Sequence, residues 1–276
     1  MLKIYRLPIT INMFDQSIFT KQSNSPYSIT KNAPYPSKIA KRSPSGKEIF
    51  ICPEESNFYS QCLDTFVLQN CWENEAVIEF GSGDGLPVIH SLLRTEFLGC
   101  IHGYELNSSA CKIANSKIAE YSLTDRYVVH NTCFFTSSKP AARYLVSNPP
   151  YLPAVDDDIY LPLLRGGTDG STITRKLFSL GYDNVMSLVS SYSNPVDTID
   201  YAIAQGYSVS KFLVTPLEFG YYSSEPKVRN TIAKLREQKK AFYSGNIYLL
   251  AGVLFQKQSL ATANLSDELI QIITSL

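Results

Sequence analysis

Short apolar runs at residues 76–80, 98–104, 127–129 and 144–146 recur through the first half of the chain, and between them lie stretches with apolar residues at helical spacing. Val88, Ile89, Leu92 and Leu93 share one face of a helix expected over 87–97, with Pro87 suited to its first turn. Ala110, Ile113, Ala114, Ile118 and Tyr121 mark a second helix. Further on, 185–189, 212–214 and 247–255 read as strands and 196–205 as a helix, while Val228, Ile232 and Leu235 mark another helix with Lys227, Arg229, Lys234, Arg236, Lys239 and Lys240 on its other sides. Strands so short and so apolar need cover on both sides, which an open α/β sheet provides.

With 276 residues, 44% of them hydrophobic, the chain can bury one large core or a core with an appendage. Its formal net charge of +0 gives no global attraction to nucleic acid or to an anionic membrane. The first 13 residues mix charges and a proline into their apolar positions, which fits neither an export signal nor a membrane span. Six cysteines, Cys52, Cys62, Cys71, Cys100, Cys111 and Cys133, form no CxxC pair and no zinc spacing with the histidines, so reduced thiols in a cytoplasmic protein and no metal site are expected. From 16 to 47 the chain carries six basic residues and no acidic one among many Ser, Pro and Asn. A basic, Ser/Pro-rich arm or lobe over 1–50 is therefore expected, either solvated or closing over a substrate. The main domain is then 51–258, and 259–276 a helical tail that packs on the sheet or leads to a partner or further domain.

"VIEFGSGDG" places Gly81, Gly83 and Gly85 directly after a strand, where the backbone turns sharply and comes close to a ligand. A dinucleotide fingerprint would need glycine at position 86, which is Leu86, so a pyrophosphate ligand is disfavoured. Glu79 before the loop suits a cationic or donor-rich ligand end, and Glu105 at the end of the next strand can accept from ribose hydroxyls. Each acid alone would more often be an ordinary strand-end charge. Acid, glycine loop and second acid in strand order describe a site for an adenosine without phosphate, and S-adenosylmethionine fits it.

These residues, with "NPPY" at Asn148–Tyr151, resemble the S-adenosylmethionine-dependent methyltransferases with an Asn-Pro-Pro-Tyr acceptor motif, including the HemK-type protein-glutamine N5 and the adenine-N6 enzymes. "CPEESNFY" at 52–59 resembles the segment before their glycine loop, and "RGGTDGSTITRKL" at 165–177 resembles their GGxDG stretch. The resemblance implies a Rossmann-like class I methyltransferase, with a mostly parallel sheet of about seven strands, an antiparallel last strand and helices on both faces. It places the cofactor on Glu79, Gly81, Gly83, Gly85, Glu105, Leu106 and Thr132. Asn148 and Pro149 would orient the acceptor, Tyr151 would stack on it, and Pro150, Arg165, Asp169 and Arg175 would contact the substrate. Thr132 stands where the HemK-type pattern carries an acid, Arg143 replaces an acid before the acceptor strand, and the proline-rich N-terminal region differs from the HemK helical domain.

A planar nitrogen is a poor nucleophile because its lone pair is delocalised. Two preorganised acceptors, Asn148 Oδ1 and the Pro149 carbonyl, can steer it toward tetrahedral geometry as the new bond forms. The expected acceptor is therefore a planar nitrogen of a peptide or protein. An adenine of a nucleic acid is an alternative within the same chemistry, drawing on the basic segments. A carboxylate of a peptide or natural product, or another small-molecule substrate, is another, needing Arg165 or Arg175 as counter-charge. A cofactor-binding scaffold without catalysis is the alternative from a different class.

Overall fold

The computed structural model describes residues 49–72, 74–257 and 264–276. The arm expected over 1–50 lies outside them except for its last two residues, as does the expected boundary after 258. After α1 (Pro53–Phe66) the chain alternates β1 (Ala76–Phe80), α2 (Leu86–Arg94), β2 (Cys100–Tyr104), α3 (Ser108–Glu120), β3 (Tyr127–His130) and β4 (Tyr144–Ser147). It continues through α4 (Thr172–Phe178), β5 (Asn184–Ser190), α5 (Pro195–Ala204), β6 (Tyr207–Glu218), α6 (Pro226–Glu237), β7 (Tyr243–Ser244), β8 (Ile247–Lys257) and α7 (Ser266–Ile273).

The strands form one sheet in the order β3-β2-β1-β4-β5-β8-β6, with the two-residue β7 hairpinned onto β8. Strands β1 to β5 pair in parallel, and β8 runs antiparallel between β5 and β6. The expected parallel sheet with a reversed last strand is thus present, with eight strands counting β7. Strand β6 is far longer than the expected 212–214, because Ser208, Ser210, Lys211 and Thr215 interrupt its apolar pattern at the sheet edge.

Period-two alternation divides the core. Val77 points to a cluster with α1, α2, α3 and α6, and Ile78 to a second cluster with α4, α5 and α7. Helix α7 buries Leu269 and Ile273 completely in that second cluster, and the Leu265 N–H donates to the Val209 carbonyl. The tail helix therefore packs on the sheet. Arg143 makes a bidentate pair with Glu75 at 2.6 and 2.8 Å and lies over the Trp72 ring, tying together the starts of β4 and β1.

Strand order reverses between β1 and β4, whose last residues, Phe80 and Ser147, are register partners. The loops leaving these two strands therefore open side by side at the switch point, where ligands bind in open α/β sheets.

Candidate active site

The glycine loop leaves β1 with Gly81, Gly83 and Gly85 all at positive φ, a backbone that side chains with a Cβ rarely adopt. Gly85 caps α2, and the Gly81 N–H donates to the Tyr104 carbonyl of β2. Glu105 closes the loop from the side. One carboxylate oxygen accepts from the Gly83 N–H at 2.8 Å and the other from the Asn107 N–H at 2.7 Å.

Glu79 lies beneath the loop, 2% exposed, and accepts hydrogen bonds from the Tyr127 hydroxyl at 2.6 Å and the Tyr59 hydroxyl at 3.1 Å. Burial pushes its pKa from 4.5 to about 7, against the pull of these hydrogen bonds. The sequence points this acid at a ligand cation, and the structure surrounds it with two phenols instead. There it braces β1 against α1 and β3. Leu106 projects outward and is 59% exposed. The Thr132 hydroxyl is 3.0 Å from that of Ser137, while Asn131 Nδ2 donates to the Glu105 and Leu106 carbonyls, so this loop borders the Glu105 end of the crevice.

At the end of β4, Asn148 Oδ1 is buried without a hydrogen-bond partner among the described residues. The Pro149–Pro150 backbone leads to Tyr151, whose ring is buried and tilted against Tyr192 at 5.8 Å, with its hydroxyl also unpartnered among the described residues. Tyr151 is therefore packed among aromatic rings more deeply than a stacking platform at the mouth would be.

The 165–177 segment buttresses this loop. A Cβ on Gly166 would meet the Pro150 carbonyl oxygen at 2.6 Å, and one on Gly170 the Tyr151 carbonyl oxygen at 2.5 Å. Ser193 Oγ donates to the same Tyr151 oxygen at 2.7 Å. Arg165 holds the Ala154 and Val155 carbonyls and Asp157, while Asp169 accepts from Ser171, Asn194 and Arg175. Burial works against the Asp169 carboxylate, but Asn194, Ser171 and Arg175 hold its pKa below the ordinary value. Arg165, Asp169 and Arg175, expected at the substrate, are engaged in loop structure, and Pro150 contributes through its backbone.

One acid at this site was not singled out from sequence. Glu55 and Tyr59 lie four residues apart on α1 and share its buried face with Cys62, Leu63 and Phe66. Tyr59 reaches Glu79, whereas Glu55 Oε1 accepts from the Tyr248 hydroxyl at 3.1 Å. Glu55 Oε2 is buried and unpartnered among the described residues. Burial raises the Glu55 pKa, opposed by the Tyr151, Tyr248, Asn148 and Cys52 side chains around it. An acid at i and a tyrosine at i+4 on an otherwise apolar helix face was the available signal.

No protein-family model matches the sequence, and no curated protein matches it. The structure superposes on that of a candidate RNA methyltransferase from Pyrococcus horikoshii with a TM-score of 0.52 and 15% identity, over 79% of this chain and 91% of that one. The fold is that of the Rossmann-like methyltransferases. A methyltransferase from Pyrococcus furiosus aligns at 16% identity over 79% of this chain and 92% of its own, with a TM-score of 0.47.

Within this methyltransferase fold the residues fit S-adenosylmethionine. A Cβ at Gly81 or Gly83 would meet nothing within 4 Å, so the loop presents bare backbone to open space beside Glu105. Ser82 Oγ turns the other way, beneath the loop toward Gly103, Glu79 and Tyr127. Among the described residues no group of three or more His, Cys, Asp or Glu side chains is arranged to hold a metal, and no helix is long and apolar enough to cross a membrane.

Proposed function

We propose that this chain is an S-adenosylmethionine-dependent methyltransferase that methylates a planar nitrogen of a peptide or protein. The observation that carries the reading is Asn148 Oδ1, a buried acceptor lacking a partner among the described residues and positioned at the switch point beside the glycine loop. A buried polar atom left unpaired is costly, and an N–H donor from a substrate would satisfy it.

Gly81, Gly83 and Gly85 offer backbone to the cofactor, Glu105 offers lone pairs to its ribose, and Leu106 and Thr132 border the adenine. Bound there, the cofactor supplies an electrophilic methyl group. Asn148 Oδ1 and the Pro149 carbonyl accept the N–H groups of the acceptor and hold its lone pair toward that methyl, so catalysis is largely positioning. The buried Tyr151 ring keeps the loop rigid and the site dry. Glu79, with Tyr59 and Tyr127, fixes the loop from beneath.

Three features favour a nitrogen over a carboxylate. Asn148 Oδ1 and the Pro149 carbonyl are both acceptors, Glu55 adds an acid, and Arg165 and Arg175 are already ion-paired at 2.9 Å with Asp157 and Asp169. A polyanion is also poorly served by α6 and the turn that follows it. Lys227 pairs with Asp156 and Asp158, Lys240 pairs with Asp197, and Arg229 and Arg236 lie over the Tyr243 ring.

The test is labelled-methyl transfer to peptides bearing glutamine or a free C-terminal carboxylate, with DNA and RNA alongside. A base-stable product on peptide nitrogen is expected. A base-labile ester would assign the chain to carboxylates, and label on adenine would assign it to nucleic acid.

A further inference from the structure

We propose that Glu55 receives the proton that the acceptor nitrogen sheds as it is methylated. The inference rests on the methyltransferase reading above and adds a catalytic residue to it. An N–H nitrogen that gains a methyl becomes a positively charged, strongly acidic centre, so one N–H bond must break. The methyl carbon exchanges a bond to sulfur for one to nitrogen, the C–S electrons stay on sulfur as a neutral thioether, the N–H electrons stay on nitrogen, and the carboxylate becomes a carboxylic acid.

Among the titratable groups that interact with Glu55, none competes with it for that proton. Cys52, just before α1, has its thiol pushed up to about 12 by burial and by the neighbouring glutamates. Tyr151 after β4, Tyr192 after β5 and Tyr248 on β8 are all raised by burial and by the charge of Glu55, so these phenols hold their protons. Glu55 alone joins an oxygen that makes no hydrogen bond of ordinary length, burial, and the Asn148 and Tyr151 side chains of the acceptor loop as neighbours.

Its other oxygen is fixed. The Tyr248 hydroxyl donates to Oε1, and Tyr248 packs edge-on against Tyr192, which in turn contacts Tyr151. This aromatic chain links the acid on α1 to the acceptor loop. A carboxylate held off solvent, with its pKa raised by burial, binds a proton more avidly than an exposed one.

The experiment compares wild type with Glu55→Gln and Glu55→Asp, using the acceptor that the transfer panel identifies. Gln keeps the size of the side chain and can still accept from Tyr248, so folding and S-adenosylmethionine affinity, checked by melting and calorimetry, are expected to hold. Glu55→Gln should lower kcat by about 10²-fold or more with little change in KM, and should remove the acid limb of the pH profile. Glu55→Asp should restore part of the rate and the acid limb. A wild-type rate in Glu55→Gln, or a slowed rate with the acid limb unchanged, would overturn the proposal while leaving the methyltransferase reading intact. An independent readout needs no acceptor: difference infrared spectra of wild type against Glu55→Gln should show a carboxylate at neutral pH. A protonated Glu55 there would overturn the proposal by itself. Absence of transfer by wild type to every acceptor would instead sink the reading on which it rests.

Discussion

Two buried glutamates beside the crevice meet opposite demands. Glu79 has both oxygens occupied by tyrosine hydroxyls, whereas Glu55 keeps one oxygen unpartnered among the described residues. The contrast makes Glu79 structural and gives it a pH signature. Its folded pKa of about 7 lies above the ordinary 4.5, so the native state binds this proton more tightly than the unfolded chain does. The stabilisation is fully present below about pH 4.5 and is lost as pH rises through about 7, a change of roughly 3 kcal/mol. Glu79→Gln should flatten that part of the stability profile in urea titrations at successive pH values, and an unchanged slope in the variant would refute the assignment. The buried Asn148 oxygen has no hydrogen-bond partner among the described residues, so its removal should cost little stability.

At the scale of elements, the acceptor loop is held by a second loop rather than by its own prolines alone. Gly170, at φ +81°, lies so close to the Tyr151 carbonyl and Ser193 that alanine there must displace the chain. Gly170→Ala should lower transfer by about 10²-fold through misplacement of Asn148, while S-adenosylmethionine affinity by calorimetry stays near wild type. Loss of cofactor binding with transfer per bound site intact would contradict this coupling.

The strand and helix pattern from 76 to 146 was legible because apolar periodicity reports burial directly. The engagement of Arg165, Asp169 and Arg175 was not legible, because a polar residue after a conspicuous motif looks the same whether it faces a ligand or another loop. Glu55 was hidden for the converse reason. Its partner Tyr248 lies 193 residues away in sequence, and only the sheet order brings β8 beside α1.

Across the whole molecule, the sheet places the glycine loop and the acceptor loop at one switch point, and α7 closes the far face. Leu269→Ala should destabilise the fold by about 2–5 kcal/mol by leaving a cavity, with cofactor affinity unchanged in the folded fraction. A melting temperature equal to wild type would show that α7 contributes nothing to the core. The division of labour between the two loops is tested directly by labelled-methyl transfer by wild type and Asn148→Ala, paired with calorimetric titration of S-adenosylmethionine. Transfer to a peptide nitrogen should fall by at least about 10²-fold in the variant while cofactor affinity stays within about twofold. Undiminished transfer by Asn148→Ala, or loss of cofactor binding together with transfer, would contradict the role of Asn148.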